Sequence, residues 1–276
     1  MNKIKFAIIG NPISHSLSPV MHNYWFKKYD INAEYDLLHL NESEIQGVIN
    51  KIKEKKIKGI NVTLPYKKSV IPFLDKTIKD AKETHSVNTI MLDENNTLIG
   101  ENTDVFGFQA AYLKSIPNQE KKNKKALILG AGGVAPSIIL ALLKSNIADI
   151  SITNRTYEKL LFLQKNFRGI NVIKWQECSK EFNKFDIVIN ATSLGLKTSD
   201  NFNIDLSNFK KSMIFIDTIY NPVQTQMLKY FKSNKIKSFN GLNMLIYQGQ
   251  KSFYLWNKIN PEVDDELLKL LESKLN

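Results

Sequence analysis

Apolar runs and helix-spaced stretches alternate along the first hundred residues. Residues 3–9 (KIKFAII) end in Gly10-Asn11-Pro12, which predicts a buried strand closed by a turn. Residues 19–28 (PVMHNYWFKK) place apolar side chains at helical spacing, with Ser18 as the expected N-cap. The alternation then repeats. A strand is expected over 34–40, a helix over 43–55 capped by Ser43, and a strand over 58–64 stopped by Pro65. Residues 87–92 and 97–100 flank the turn sequence DENN and predict a hairpin, so the strands of this half are mixed in direction.

The polar segment 114–125 (KSIPNQEKKNKK) interrupts the pattern, and the signals after it are sharper. Residues 126–129 form a short apolar strand. It leads at once into GAGGVAPSIILALLKS (130–145), a glycine turn opening a helix in which Pro136 suits the first turn. Further strands over 149–153, 185–191, 213–217 and 236–239 leave room for a helix between neighbours, the signature of a doubly wound parallel sheet. Residues 244–275 are helical by pattern and are split by Pro261. The fold class is therefore α/β: an N-terminal mixed-sheet unit and a Rossmann dinucleotide-binding unit.

Composition narrows the function classes. The single cysteine, Cys178, excludes an intramolecular disulfide, a cysteine-built zinc site and a thiol redox pair, and it fits a reducing, cytoplasmic setting. The apolar stretch before Gly10 is too short for a signal-peptide core or a membrane span. The formal net charge of +11 raises the question of a polyanionic partner, yet of 38 basic residues only Arg155 and Arg168 are arginines. Scattered lysines without arginine forks or interleaved aromatics describe a solvated surface better than a nucleic-acid interface. No nucleic acid and no membrane is expected as a partner.

Gly130-Ala131-Gly132-Gly133-Val134-Ala135 matches G-x-G-x-x-G/A with the strand and helix that this fingerprint requires. Such glycines let backbone approach a pyrophosphate, whose charge then meets the N–H groups and positive dipole end of the helix. An acidic residue at the end of the next strand would mark NAD. Asp149 begins that strand instead, and its end reads Asn154-Arg155-Thr156, with Lys159 a turn later. A guanidinium, an ammonium and two small polar groups suit a 2′-phosphate, which points to NADP. Elsewhere, Ser14-His15-Ser16-Leu17-Ser18 follows a strand and precedes a helix, and Thr63 and Lys67 stand just past a strand's end, where functional side chains gather in α/β folds. Each also has a plain structural reading: capping serines, a surface lysine, an N-cap at 102–104 and strand filler at 87–89.

In order along the chain stand GNPISHSLSP (10–19), NVTLPYK (61–67), VNT (87–89), NTD (102–104), GAGGVA (130–135), NRT (154–156), INATSLG (189–195), DTIYNP (217–222) and GLNMLIYQG (241–249). That series resembles the shikimate dehydrogenase family from end to end. The resemblance implies NADP-dependent, reversible reduction of 3-dehydroshikimate to shikimate in the shikimate pathway leading to chorismate and the aromatic amino acids. It implies a substrate-binding unit of residues 1–104 with 242–276, the C-terminal helices packing back on it, and a Rossmann unit of 105–241. By resemblance, Lys67 is the general acid and base with Asp104 as its partner. Ser16, Ser18, Thr63 and Tyr220 hold the substrate carboxylate, and Asn88, Asp104 and Gln248 hold ring hydroxyls. Gly130, Ala131, Gly132, Gly133, Val134, Asn154, Arg155, Thr156, Lys159, Thr218 and Gly241 line the NADP site. No metal is implied, and a homodimer is left open.

The chain departs from the family pattern at Val105 after Asp104 and at His85-Ser86 before Val87. It departs again at Asn243, where glycine is common, and at Tyr247 before Gln248. The nearest competing reading is a quinate/shikimate dehydrogenase that uses NAD. A non-catalytic dinucleotide sensor would lack the substrate residues. A serine hydrolase fails for want of a G-x-S-x-G elbow, and a P-loop kinase for want of G-x-x-x-x-G-K-[ST].

Overall fold

The computed structural model describes residues 3–197, 200 and 204–275. It divides into two compact units: one runs to Gly107 and resumes over Ile246–Lys274, and the other is Phe108–Leu245.

In the first unit, β1 (Ile4–Gly10), β2 (Ala33–His39), β3 (Gly59–Val62), β4 (Lys76–Thr77), β5 (Thr89–Leu92) and β6 (Leu98–Glu101) form one sheet in the order β2-β1-β3-β5-β6-β4. β1 is parallel to β2 and β3, whereas β5 is antiparallel to β3 and β6. The mixed directions match the sequence pattern. β4 has no counterpart in that pattern, because two residues give no periodicity to read. The helix Ile45–Lys53 buries Ile45, Val48, Ile49 and Ile52, one apolar stripe, against Ile9, Ile60 and Val62 of the sheet.

Both expected serine caps need correction. The second helix is preceded by the 3₁₀ turn Glu42–Glu44, and the backbone N–H of Asn41, not a group on Ser43, donates to Glu44 Oε2 at 2.7 Å. The first helix, Ser18–Lys28, already includes Ser18, and the Ser18 N–H donates to Ser16 Oγ at 3.3 Å. A hydroxyl two residues upstream therefore takes the role expected of Ser18.

The Ser18–Lys28 and Leu242–Asn257 helices contribute to an aromatic core of Phe6, Trp25, Phe26, Tyr35, Phe253 and Trp256, with His22 inside it. The His22 ring stacks on Tyr35, centroids 4.4 Å apart and planes 4° from parallel. Neither ring nitrogen has a hydrogen-bond partner, and burial lowers the His22 pKa to about 3. The unfolded chain binds that proton near pH 6.5, so the stability linked to neutral His22 is complete above about pH 6.5. It is lost as pH falls toward 3, at up to ~1.4 kcal/mol per pH unit. Chemical denaturation of His22→Phe between pH 7 and 4 is expected to show a shallower pH slope than the wild type, by about one proton. An unchanged slope would mean that His22 is not the titrating group.

The second unit has β7 (Lys125–Leu129), β8 (Asp149–Thr153), β9 (Asn171–Val172), β10 (Ile187–Asn190), β11 (Ile214–Asp217) and β12 (Lys237–Phe239). They follow the order β12-β11-β10-β7-β8-β9, all parallel. β7 lies between β8 and β10, so the strand order reverses beside it, which is where α/β sheets bind ligands. The polar segment at 114–125 contains a short helix, Asn118–Lys121.

Candidate active site

In the first unit the site grows from the carboxyl ends of β1 and β3. The Thr63 N–H donates to Ile9 O at 2.9 Å and the Asn11 N–H to Leu64 O at 3.0 Å, which ties the two strand ends together. Gly10 makes the approach possible, since a Cβ there would lie 2.5 Å from Thr63 Cγ2. Beyond Thr63 the loop turns inward. Tyr66 donates its hydroxyl to Leu40 O at 2.6 Å, and Lys67 O accepts from the Val87 N–H at 2.8 Å. Lys67 is thereby fixed at its backbone beside β5.

Its ammonium lies 2.5 Å from Asp104 Oδ2, with side-chain exposures of only 11% and 7%. Asp104 opens the helix Asp104–Phe108, and Asn102 Oδ1 accepts its N–H at 3.0 Å. Asn102 is in turn anchored by donating to Ser86 O at 2.9 Å and Thr84 Oγ1 at 3.1 Å. The other carboxylate oxygen of Asp104 accepts from Asn88 Nδ2 at 2.9 Å, and the same amide nitrogen lies 3.3 Å from Gln248 Oε1. Removing two charges from water costs several kcal/mol per ion unless further hydrogen bonds compensate, and both Asp104 oxygens have a partner. Four expected residues, Lys67, Asp104, Asn88 and Gln248, thus converge although they come from widely separated parts of the chain.

The expected carboxylate holders differ from one another. Ser16 and Thr63 are half-buried, whereas Ser18 is buried. Among the departures from the family pattern, His85 has a left-handed backbone, φ 49°, after the helix Lys79–Thr84, a conformation in which glycine carries no Cβ penalty. Val105 is buried and Asn243 exposed.

In the second unit the Gly130 N–H donates to Thr153 O at 2.8 Å, and the Ala131 N–H to Asn154 Oδ1 at 3.1 Å. Gly130 has φ +105°, and a Cβ there would lie 2.7 Å from Thr192 Cγ2. Gly132, Gly133 and Val134 lead into the helix Ala135–Lys144, whose N-cap supplies no side-chain hydrogen bond to its first N–H groups. Arg155, Thr156 and Lys159 are exposed after β8, next to that turn. Asp149 begins β8 and pairs with Lys125 at 3.3 Å. Thr218 donates its hydroxyl to Asn190 O at 2.9 Å, and Gly241 leaves room for the Thr218 carbonyl, which a Cβ would strike. Tyr220 is half-buried in the loop after β11.

Two groups beside this turn carry no individual expectation from the sequence. Asn190 donates to Asp217 Oδ1 at 3.0 Å and accepts from Thr192, and Thr225 donates to Asp217 Oδ2 at 2.6 Å. Burial pushes the Asp217 pKa up to about 6 against these hydrogen bonds. Asn190 and Asp217 tie together the loops that follow β10 and β11. Their sequence signals are a polar residue closing an apolar strand and their places in INATSLG and DTIYNP, which carry no individual role.

Comparison with known proteins agrees with both halves. The family described as shikimate dehydrogenase substrate binding domain matches residues 8–90, and that described as shikimate / quinate 5-dehydrogenase matches residues 113–237. A shikimate dehydrogenase (NADP(+)) of Pelagibacter ubique (strain HTCC1062) is 50% identical over 270 residues, covering 98% of this chain and 99% of that protein. The chain belongs to the shikimate dehydrogenase family. Among solved family structures, shikimate dehydrogenase from Aquifex aeolicus superposes with a TM-score of 0.88 at 34% identity, covering 99% of this chain and 97% of that one. Shikimate 5-dehydrogenase from Thermus thermophilus, solved with NADP(H) and shikimate, gives 0.87 at 28% identity, covering 99% and 100%. The mixed-sheet unit and the Rossmann unit are those of the shikimate dehydrogenases. Among the described residues no cluster of His, Cys, Asp or Glu could hold a metal ion, and no helix is long and apolar enough to cross a membrane.

Proposed function

We propose that the protein catalyses the reversible, NADP-dependent reduction of 3-dehydroshikimate to shikimate, with Lys67 as general acid in reduction and general base in oxidation. The enclosed Lys67–Asp104 pair, with Asn88 and Gln248 beside it, is the observation that carries this reading. Negative charge builds on a ketone oxygen as hydride reaches its carbon. An ammonium at that oxygen stabilises the charge and then donates the proton that completes the alcohol. In the reverse direction the amine takes the hydroxyl proton. Asp104 keeps the Lys67 nitrogen in place through both steps, and its second oxygen, with Asn88 and Gln248, orients ring hydroxyls. Ser16, Thr63 and Tyr220 hold the ring carboxylate. Ser18, buried at the start of the Ser18–Lys28 helix, completes that set.

NADPH, when bound, supplies the hydride. The cradle suits its phosphates: Gly130, Gly132 and Gly133 carry no Cβ, and φ +105° at Gly130 favours glycine. Ala131 and Val134 complete the turn. Asn154, Arg155, Thr156 and Lys159 hold the 2′-phosphate, with Thr218 and Gly241 lining the same unit's strand ends.

The test is initial-rate oxidation of shikimate or quinate with NADP or NAD, followed by the absorbance of reduced cofactor. Shikimate with NADP is expected to exceed each other pair by about tenfold or more in kcat/KM. Inactivity with all four pairs, or quinate with NAD as the best pair, would overturn the reading.

A further inference from the structure

Behind Asn88 the first unit holds a buried polar network that reaches back to β2. It begins at Tyr35, 1% exposed, whose ring is fixed by the His22 stack. The Tyr35 hydroxyl donates to Asn61 Oδ1 at 2.7 Å. Asn61 is the polar residue of β3, and its Nδ2 lies 3.0 Å from both Asn88 O and Ser252 Oγ and 3.1 Å from Thr89 Oγ1. Ser252 stands one helical turn after Gln248. Its Oγ is 2.8 Å from Thr89 Oγ1, 3.1 Å from Thr103 Oγ1, and 3.1 Å from Gln248 O, to which it can donate.

The direction of these bonds matters more than their number. Asn88 Oδ1 accepts the Thr103 N–H at 2.7 Å, and the Thr103 and Thr89 hydroxyls lie 3.1 Å from the same oxygen. The Asn88 amide can therefore present only its nitrogen to Asp104 Oδ1. Asn61 is oriented in the same way: Tyr35 supplies a proton to its oxygen, so its nitrogen faces Asn88 O and Ser252. Without the Tyr35 hydroxyl, Asn61 Oδ1 loses its donor, and a flipped Asn61 would set oxygen against the Asn88 carbonyl. Buried networks of this type act as a unit, because one missing donor unsettles the next amide.

We propose that Tyr35, acting through Asn61 and Ser252, is a positioning residue that seats the Asn88 backbone carbonyl, and with it the side-chain amide that Thr103 orients, and thereby holds Asp104 against Lys67. The inference rests on the assignment of Lys67 and Asp104 above. It adds to that assignment a residue of β2 that touches neither partner of the pair.

The test is a double-mutant cycle on kcat for shikimate oxidation with NADP, using Tyr35→Phe in the wild-type and Asp104→Asn backgrounds. Phenylalanine retains the ring stack and removes one oxygen. Tyr35→Phe alone is expected to lower kcat about tenfold while the KM for NADP stays within about twofold. In the Asp104→Asn background the same change is expected to alter kcat less than about twofold, since the carboxylate it positions is gone. Ser252→Ala should repeat the pattern and serves if Tyr35→Phe folds poorly. An equal loss of kcat in both backgrounds, or wild-type kcat in both single variants, would overturn the proposal. Failure of the underlying assignment has a different signature: Asp104→Asn alone would turn over at the wild-type rate.

Discussion

Lys67→Ala is expected to lower kcat for shikimate oxidation by about 10³- to 10⁴-fold while leaving the dissociation constant for NADP within about twofold. The size follows from two losses at one atom, the proton carrier and the positive charge at the developing oxyanion. The selectivity follows from the architecture, because the dinucleotide turn belongs to the second unit and Lys67 to the first. The variant should also be less stable, by about 3–5 kcal/mol, because Asp104 would remain buried without its counter-ion. Lys67→Ala combined with Asp104→Asn should recover part of that stability without recovering turnover. Steady-state rates, NADP titration by protein fluorescence and thermal melting separate these effects. Equal loss of turnover and NADP affinity would count against the role given to Lys67.

Arg155→Glu is expected to reduce kcat/KM with NADP by about 10²- to 10³-fold and to change kcat/KM with NAD by less than about threefold. A charge-assisted hydrogen bond to phosphate contributes about 1.5–3 kcal/mol, and a carboxylate in its place adds repulsion. NAD lacks the 2′-phosphate and so lacks both terms. Arg155 is exposed after β8, with Thr156 and Lys159 close by in sequence. The loss with NADP should shrink as salt is raised, because exposed charges are screened. Parallel losses with NADP and NAD would place the 2′-phosphate elsewhere.

Legibility in the sequence follows the physical range of each signal. The Rossmann sheet is readable because short apolar strands and intervening helices are local patterns, and Gly130 is readable because a left-handed backbone against Thr192 demands glycine. Lys67, Asp104, Asn88 and Gln248 come from resemblance. No local rule links residues 37 positions apart, and only the folded sheet brings Lys67 and Asp104 to 2.5 Å. Ser18 and Ser43 mislead as N-caps because capping depends on where the helix dihedrals begin, which propensity places poorly. Tyr35 and Ser252 belong to none of the sequence motifs, and Asn61 is legible only as the first residue of NVTLPYK and a polar asparagine inside the apolar strand GINV. Their meaning lies in hydrogen-bond direction, which exists only once three segments are packed together. The excess of lysine is informative mainly by contrast, since it makes one of two arginines, at the end of β8, worth attention.

The role proposed for Lys67 is proton transfer at its side-chain nitrogen, and chemical rescue measures that directly. Shikimate oxidation by Lys67→Ala with NADP should rise saturably when small primary amines are added, with rates ordered by amine basicity, whereas tetramethylammonium at the same ionic strength should have no effect. Turnover that ignores the primary amines, or that rises equally with tetramethylammonium, would contradict a general acid–base role for Lys67.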